Sequence, residues 1–273
     1  MTDPQHPSLI EGFLDFLQRS PTPFHATANA VAALQQRGFQ LLRESDSWQL
    51  EQGGRYIVTR NDSALLAFTL PAGTEGAVTS GFHLAGAHTD SPCLKVKPSP
   101  ELPRFGCFQL GVEVYGGVLL NPWFDRDLSL AGRVTYVDGS GQLGSTLLDF
   151  ARPVAVIPSL AIHLDRGVNE NRSINAQLHL PPVLSVSGEE AQLSFRDILL
   201  AELKRAQPDS PAAEILDYEM ALYDAQPPAR TGLAGELISS ARLDNLLSCY
   251  VGLQALLQAD GSRAAMIVLT DHE

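Results

Sequence analysis

The most informative stretch of the sequence is Phe82-His83-Leu84-Ala85-Gly86-Ala87-His88-Thr89-Asp90. In it an apolar run leads directly into His88 and Asp90, whose side chains can take part in catalysis or metal binding. We expect the run to form a mostly buried strand. A histidine at the carboxyl end of such a strand lies where open α/β sheets bind their ligands. Asp90 can accept the second imidazole N–H of His88 and so fix its tautomer. A solvent-facing turn remains the alternative, since His-x-Asp is frequent by chance.

Two other acidic stretches are predicted to reach the same edge of the sheet. Arg242-Leu243-Asp244-Asn245 opens a helix whose apolar face continues to Leu257. Asp244 either caps that helix, as first-turn acidic residues do, or reaches the strand-end crevice, where a carboxylate can bridge two cations. Asp271-His272-Glu273 follows the apolar strand 264–269. A carboxylate there either takes a proton from water or belongs to a frayed terminus.

The middle of the chain has a different pattern from its two ends. Helical periodicity marks both ends, whereas short strands with turn signals dominate from about residue 95 to about residue 235. We therefore predict an α/β domain formed by residues 1–94 and 236–273, interrupted by a β-rich domain of residues 95–235. The proline-bearing tract 180–228 is predicted to contain one short helix, near residues 195–205. Strand 264–269 is of the type buried on both faces of a parallel sheet.

Composition and charge exclude several classes of function. The 273 residues carry a net charge of −12, which repels nucleic acid and anionic membrane surfaces. No apolar run approaches the ~20 residues that cross a bilayer, and the N-terminus lacks the features of a signal peptide. Three widely spaced cysteines indicate reduced thiols in a cytoplasmic protein. The sequence contains no Gly-x-Ser-x-Gly elbow and no Gly-x-Gly-x-x-Gly loop, which argues against serine hydrolases and nucleotide cofactors.

Seven ordered motifs together resemble the aspartyl aminopeptidases, metallo-exopeptidases that remove an N-terminal Asp or Glu from peptides. The resemblance covers the chain from about residue 9 to its last residue. The motifs are Ser20-Pro21-Thr22-Pro23-Phe24-His25, Gly86-Ala87-His88-Thr89-Asp90-Ser91-Pro92, Tyr115-Gly116-Gly117, Trp123-Phe124-Asp125-Arg126-Asp127-Leu128-Ser129, Ala161-Ile162-His163-Leu164, Arg242-Leu243-Asp244-Asn245 and Asp271-His272-Glu273.

The resemblance implies an α/β fold in which a zinc-exopeptidase-like catalytic domain is interrupted by a β-rich assembly domain. It implies two divalent metal ions, usually zinc, and dimers that assemble into a tetrahedral dodecamer. His88 would be a metal ligand, Asp90 its orienting partner and Asp244 the metal-bridging carboxylate. Glu273 would be the general base. His163 would reach from the assembly domain into a neighbouring subunit's active site and help to bind the substrate there.

The resemblance also implies metal ligands that these 273 residues do not contain. The second Glu of an Asp-His-Glu-Glu motif, a further Asp and a further His are missing, as is a lysine that would recognise the acidic substrate side chain. With two of five expected ligands, a two-metal site cannot close. We therefore expect the chain to be an inactive, assembly-competent fragment of the enzyme. A related two-metal aminopeptidase of other specificity, or an N-acyl deacylase, remains the alternative.

Overall fold

The computed structural model describes residues 8–72, 81–186 and 194–272. Its helices are α1 (Leu9–Arg19), α2 (Pro23–Gln35), α3 (Ala176–His179), α4 (Phe195–Ala206) and α5 (Leu243–Leu257), with a short 3-10 helix at Asn121–Trp123. Its strands are β1 (Gln40–Leu42), β2 (Arg55–Arg60), β3 (Ala64–Thr69), β4 (Phe82–His88), β5 (Cys93–Arg104), β6 (Cys107–Tyr115), β7 (Leu128–Asp138), β8 (Leu143–Asp149), β9 (Val183–Val186), β10 (Ala212–Asp224), β11 (Ala229–Thr231), β12 (Leu237–Ser239) and β13 (Ala264–Thr270).

The chain divides into two compact units. Residues 1–91 and 227–273 form one, called the discontinuous unit below, and residues 92–226 form the other, called the inserted unit. The sequence places the two boundaries at 94/95 and 235/236, whereas the structure places them at 91/92 and 226/227. Each unit has its own hydrophobic core.

The discontinuous unit is built on a five-stranded sheet with the order β1-β2-β3-β13-β4. Strand β13 runs parallel to β4 but antiparallel to β3, so the sheet is mixed rather than purely parallel as its apolar sequence predicts. The register of the parallel pair places Thr270 opposite His88. The chain after β13 therefore leaves the sheet at the same end as the chain after β4.

Strand β4 is exposed, and the prediction that it is mostly buried was wrong. Leu84 is 63% exposed and Phe82 is 43% exposed. The physical reason is the position of β4 at the edge of the sheet, where β13 is its one neighbour among the described strands. An apolar run therefore predicts the strand correctly, but it does not tell whether another element covers it.

The helices at the two ends of the sequence pack together, which places α5 beside β4. The hydroxyl of Ser8 caps α1 by accepting the Glu11 N–H at 3.2 Å. Pro23 begins α2, where its missing N–H costs no hydrogen bond. The ring of Tyr250, on α5, lies 5.5 Å from the ring of Phe13 on α1. This packing brings residues more than two hundred positions apart into one core.

The inserted unit is built on a six-stranded sheet with the order β8-β7-β10-β5-β6-β9. The prediction that tract 180–228 contains a single short helix was incomplete, because strand β10 also lies within it. Strand β10 is central, yet its pairing with β7 is irregular between Ala212 and Glu214 and again between Ile215 and Asp217. These irregularities break the two-residue alternation by which a strand is identified from sequence.

Candidate metal centre

The imidazole of His88 is held by the turn that follows β4. Its Nδ1 lies 3.1 Å from Oδ1 of Asp90 and 3.1 Å from the backbone oxygen of Asp90. Because both oxygens are acceptors, Nδ1 carries the proton and Nε2 keeps its lone pair. The carboxylate of Asp90 is 8% exposed and the imidazole 16% exposed. A neutral imidazole with Nε2 available is the form that binds transition-metal ions.

Asp244 reaches His88 from the opposite end of the sequence. Its Oδ1 lies 3.7 Å from Nε2 of His88, so the structure brings the two side chains together as the sequence predicts. Asp244 and Asn245 have non-helical backbone angles at the start of α5, and the carboxylate of Asp244 is 88% exposed. A capping role for Asp244 requires a regular first helical turn, which α5 does not have.

Three residues that the sequence did not single out for the site connect its two halves. Asn245 Oδ1 accepts the His88 backbone N–H at 3.1 Å, and its Nδ2 donates to Asp244 Oδ1 at 3.3 Å. The Cys249 thiol donates to the His88 carbonyl oxygen at 3.0 Å. The Ser91 hydroxyl donates to the Asp244 carbonyl oxygen at 3.0 Å. Three of these hydrogen bonds join residues more than 150 positions apart. Asn245 and Ser91 had a local signal, since each follows a predicted site residue within its motif, whereas Cys249 had none.

Burial determines the protonation state of Cys249. Burial away from water is the main cause that raises the pKa of this thiol to about 12, and the negative charge of Asp90 is the second cause. The thiol therefore stays protonated near neutral pH and acts as a hydrogen-bond donor rather than as a thiolate ligand.

The carboxyl end of β13 lies beside the same turn. The Thr89 backbone N–H donates to the Thr270 carbonyl oxygen at 2.8 Å, which ties the two strand ends together. Asp271 follows directly, and its carboxylate is 9% exposed. Asp271 Oδ1 accepts the backbone N–H of His272 at 2.9 Å. Glu273, the predicted general base, lies outside the described residues.

His163 lies in an exposed turn of the inserted unit, in the segment between β8 and α3. The backbone N–H groups of Leu164 and Asp165 both donate to the Ala161 carbonyl oxygen and so define the turn around it. The predicted role of His163 toward a neighbouring subunit stays a prediction.

The donor set at this site suits zinc in type and in spacing. Two ligands of one tetrahedral zinc ion are about 3.3 Å apart, close to the separation of His88 Nε2 and Asp244 Oδ1. An imidazole nitrogen and a carboxylate oxygen are both zinc ligands. Within residues 8–72, 81–186 and 194–272, however, no three His, Cys, Asp or Glu side chains form a group that could hold a metal ion. His88 and Asp244 by themselves therefore form a pair of donors and not a complete metal site.

None of the helices in the described part of the chain is both long enough and apolar enough to span a bilayer.

Comparison with known proteins identifies the family. A family described as aminopeptidase I zinc metalloprotease (M18) matches residues 16–273. The probable M18 family aminopeptidase 2 of Pseudomonas savastanoi pv. phaseolicola is 54% identical over 265 residues. That match covers 97% of this chain and 61% of the relative, so the chain spans about three fifths of the relative's length.

Solved structures share the fold. The structure in the cryo-EM complex of Ape4 and Nbr1 is 34% identical, with a TM-score of 0.90 over 97% of this chain and 55% of that chain. The S. cerevisiae mApe1 dodecamer has a TM-score of 0.75 at 24% identity, covering 97% of this chain and 61% of that chain, a likeness of fold alone. The family match, the identity to relatives and the shared fold agree, and the chain belongs to the M18 family of zinc metallopeptidases.

Proposed function

We propose that the protein to which this chain belongs is an aminopeptidase that removes N-terminal Asp or Glu from peptides with the help of two divalent metal ions, usually zinc. The observation that carries the proposal is the 3.7 Å approach of His88 Nε2 and Asp244 Oδ1, with Asp90 on the other imidazole nitrogen. Membership of a zinc metallopeptidase family supports the same chemistry.

His88 and Asp244 are the residues of this chain that would hold metal, with Asp244 bridging the two ions. Divalent zinc acts as a Lewis acid in peptide-bond hydrolysis. Asp90 keeps the proton on Nδ1 of His88 and thereby makes Nε2 the better donor. Glu273 is the proposed general base, which takes a proton from the attacking water and delivers it to the leaving amine. His163 of a neighbouring subunit would stabilise the tetrahedral intermediate.

The preference for acidic residues requires a positive group near the substrate, because a protein of net charge −12 repels an acidic peptide. Lys97 Nζ forms an ion pair with Glu113 Oε1 at 2.9 Å, and Lys95 Nζ lies 3.8 Å from the centre of the Tyr115 ring. These lysines are therefore poor candidates for that group. The proposal assigns recognition of the acidic side chain to a lysine outside these 273 residues.

The inserted unit is the proposed dimerisation and assembly domain, and a dodecamer built from dimers is the proposed assembly. The solved S. cerevisiae mApe1 dodecamer, whose fold this chain shares, is the observation that favours a dodecamer. The proposed location is the cytoplasm. The supporting observation is that Cys93, Cys107 and Cys249 form no disulfide in the described part of the chain.

Substrate profiling tests the proposed activity. The coding sequence, read to the length of the curated relatives, is expressed and assayed on peptides that begin with Asp, Glu or Leu and on N-acyl amino acids. We expect turnover of Asp and Glu peptides that is abolished by chelation and restored by zinc. A preference for Leu would indicate an aminopeptidase of other specificity, and cleavage of the acyl group would indicate an N-acyl deacylase.

The 273 residues by themselves are proposed to be inactive but able to assemble. The incomplete set of metal donors among the described side chains supports this second proposal. Turnover by the 273-residue chain, together with two equivalents of bound zinc per chain, would contradict it. Zinc content is measured by inductively coupled plasma mass spectrometry after gel filtration.

A further inference from the structure

Asn245 connects the two proposed metal donors without being a donor itself. Its carboxamide oxygen accepts the backbone N–H of His88 at 3.1 Å. Its carboxamide nitrogen donates to Oδ1 of Asp244 at 3.3 Å, the same oxygen that lies 3.7 Å from His88 Nε2. One side chain therefore fixes both the backbone that carries the imidazole and the carboxylate that faces it.

The residues on either side of this connection are held by further hydrogen bonds. On the other side of the His88 residue, its carbonyl oxygen accepts the hydrogen bond of Cys249, whose side chain is buried in the core of the discontinuous unit. Asn245 and Cys249 lie four residues apart on α5 and hold the N–H and the C=O of the same residue. The carbonyl of Asp244 is held in turn by the Ser91 hydroxyl. The carboxamide of Asn245 thus bridges two segments that are each anchored elsewhere.

We propose that Asn245 is a positioning residue that sets the spacing between His88 Nε2 and Asp244 Oδ1 and thereby strengthens zinc binding. The inference rests on the proposed function, because it takes these two atoms to be metal donors. The position requires an acceptor and a donor on one short side chain, which a carboxamide provides. Aspartate retains the acceptor but places a second negative charge beside Asp244, and alanine provides neither group.

Two measurements test the inference, the first on the 273-residue chain and the second on the protein read to the length of the curated relatives, because the shorter chain holds two of the five expected metal ligands. The first is the hydrogen-exchange rate of the His88 amide, measured by NMR without metal. The second is a zinc titration followed by the imidazole ¹⁵N shifts of His88. The variants are Asn245→Ala and, as a matched control, Gln258→Ala, which removes a carboxamide at the far end of α5, about 20 Å along the helix.

In Asn245→Ala we expect faster exchange of the His88 amide, by about tenfold, because the amide loses its acceptor. We also expect zinc affinity at His88 to fall between about 10-fold and 100-fold, the usual effect of losing an outer-shell partner. Gln258→Ala should leave both values unchanged. If Asn245→Ala does not fold, as judged by circular dichroism, Asn245→Asp replaces it, and protection of the His88 amide should then be retained.

Four results would overturn the inference. Unchanged amide exchange in Asn245→Ala, or lost protection in Asn245→Asp, would show that the carboxamide does not hold His88. Equal zinc affinity in the wild type and Asn245→Ala would show that the contact does not matter for metal binding. If zinc leaves the His88 nitrogens of the wild type unchanged, the proposed donor role fails and the inference fails with it. The exchange rates then still tell whether the hydrogen bond exists.

Discussion

At the scale of single residues, the carboxylate of Asp90 decides which nitrogen of His88 is available to a metal ion. Asp90 Oδ1 and the Asp90 backbone oxygen both face Nδ1, so the lone pair is left on Nε2, the atom nearest Asp244. The spacing of the two residues in the sequence predicts this contact, because a residue two positions after a strand end can fold back onto it. Asp244, the residue that faces Nε2, lies at the start of α5, so its approach to His88 depends on the tertiary fold.

Replacing Asp90 by alanine should weaken zinc binding at His88 by about tenfold. The expected loss lies at the lower end of the usual range because the backbone oxygen of residue 90 still faces Nδ1. Isothermal titration with zinc measures the change. Asp46→Ala, which removes an exposed carboxylate from a turn, is the matched control. Equal affinities in Asp90→Ala and the wild type would refute the orienting role.

Glu202 is a buried charge whose partners make stability depend on pH. Its side chain is 5% exposed and lies 2.6 Å from Arg152 and 2.5 Å from Arg205. Burial by itself would raise the pKa of Glu202, but the hydrogen bonds and positive charges of both arginines outweigh it and lower the pKa to about 2. Because this value lies below the ordinary 4.5, folding favours the ionised carboxylate.

The stabilisation from Glu202 should be fully present above pH 4.5 and be lost as the pH falls from 4.5 toward 2. Glu202→Gln should therefore lower the free energy of unfolding by about 2 kcal/mol at pH 7, since it leaves two arginines without their charged acceptor. The difference from the wild type should shrink as the pH falls. Urea denaturation at several pH values measures it, with exposed Glu214→Gln on β10 as control. A difference that does not vary with pH would contradict the assignment.

At the scale of elements, the pairing of β7 with β10 depends on a close backbone approach at Gly132. A Cβ atom at this position would lie 2.0 Å from the carbonyl oxygen of Glu219 on β10. The backbone of β10 cannot move away as a flexible side chain can, so a side chain at residue 132 must separate β7 from β10. This requirement explains a glycine within a buried strand.

Gly132→Ala should lower the free energy of unfolding by about 3 kcal/mol, at the upper end of overpacking costs. Gly139→Ala is the matched control, because a Cβ at this turn position meets no atom within 4 Å. Gly132→Ala should unfold at a clearly lower urea concentration than Gly139→Ala. If both variants unfold at the same urea concentration, the close approach does not hold in solution.

The elements differ in how well the sequence predicts them. The helices at the two ends of the chain follow from apolar periodicity, since this signal is local. Strand β10 does not, because its irregular pairing disturbs the alternation of buried and exposed side chains. The exposure of β4 was mispredicted because its position in the sheet depends on distant strands.

At the scale of the whole molecule, the two units differ in how the chain forms them. The six described strands in the sheet of the inserted unit come from residues 92–226, whereas the sheet of the discontinuous unit joins strands from both ends of the chain. The change from helical periodicity to short strands near residues 95 and 235 indicates this division. Such a change can be read from sequence because it is averaged over many residues and does not depend on one contact. The hydrogen bonds of Asn245 and Cys249 to His88 could not be predicted, because they depend on how α5 packs beside β4.

Residues 92–226 expressed alone should fold, because their core and their sheet are complete within that range. We expect dispersed amide signals in NMR spectra and a cooperative urea transition. The same fragment carrying Gly132→Ala serves as the destabilised comparison. A fragment with collapsed, poorly dispersed signals would show that the inserted unit needs the rest of the chain.

The sharing of one metal ion by His88 and Asp244 is tested most directly by a double-mutant cycle in zinc affinity. Calorimetry, on the protein read to the length of the curated relatives, compares the wild type with His88→Ala, Asp244→Asn and the variant that carries both substitutions. We predict that each single substitution weakens binding and that the double variant is hardly weaker than the single ones, because either change disrupts the same site. Losses of binding free energy that simply add, or a wild type that binds no zinc, would contradict the account.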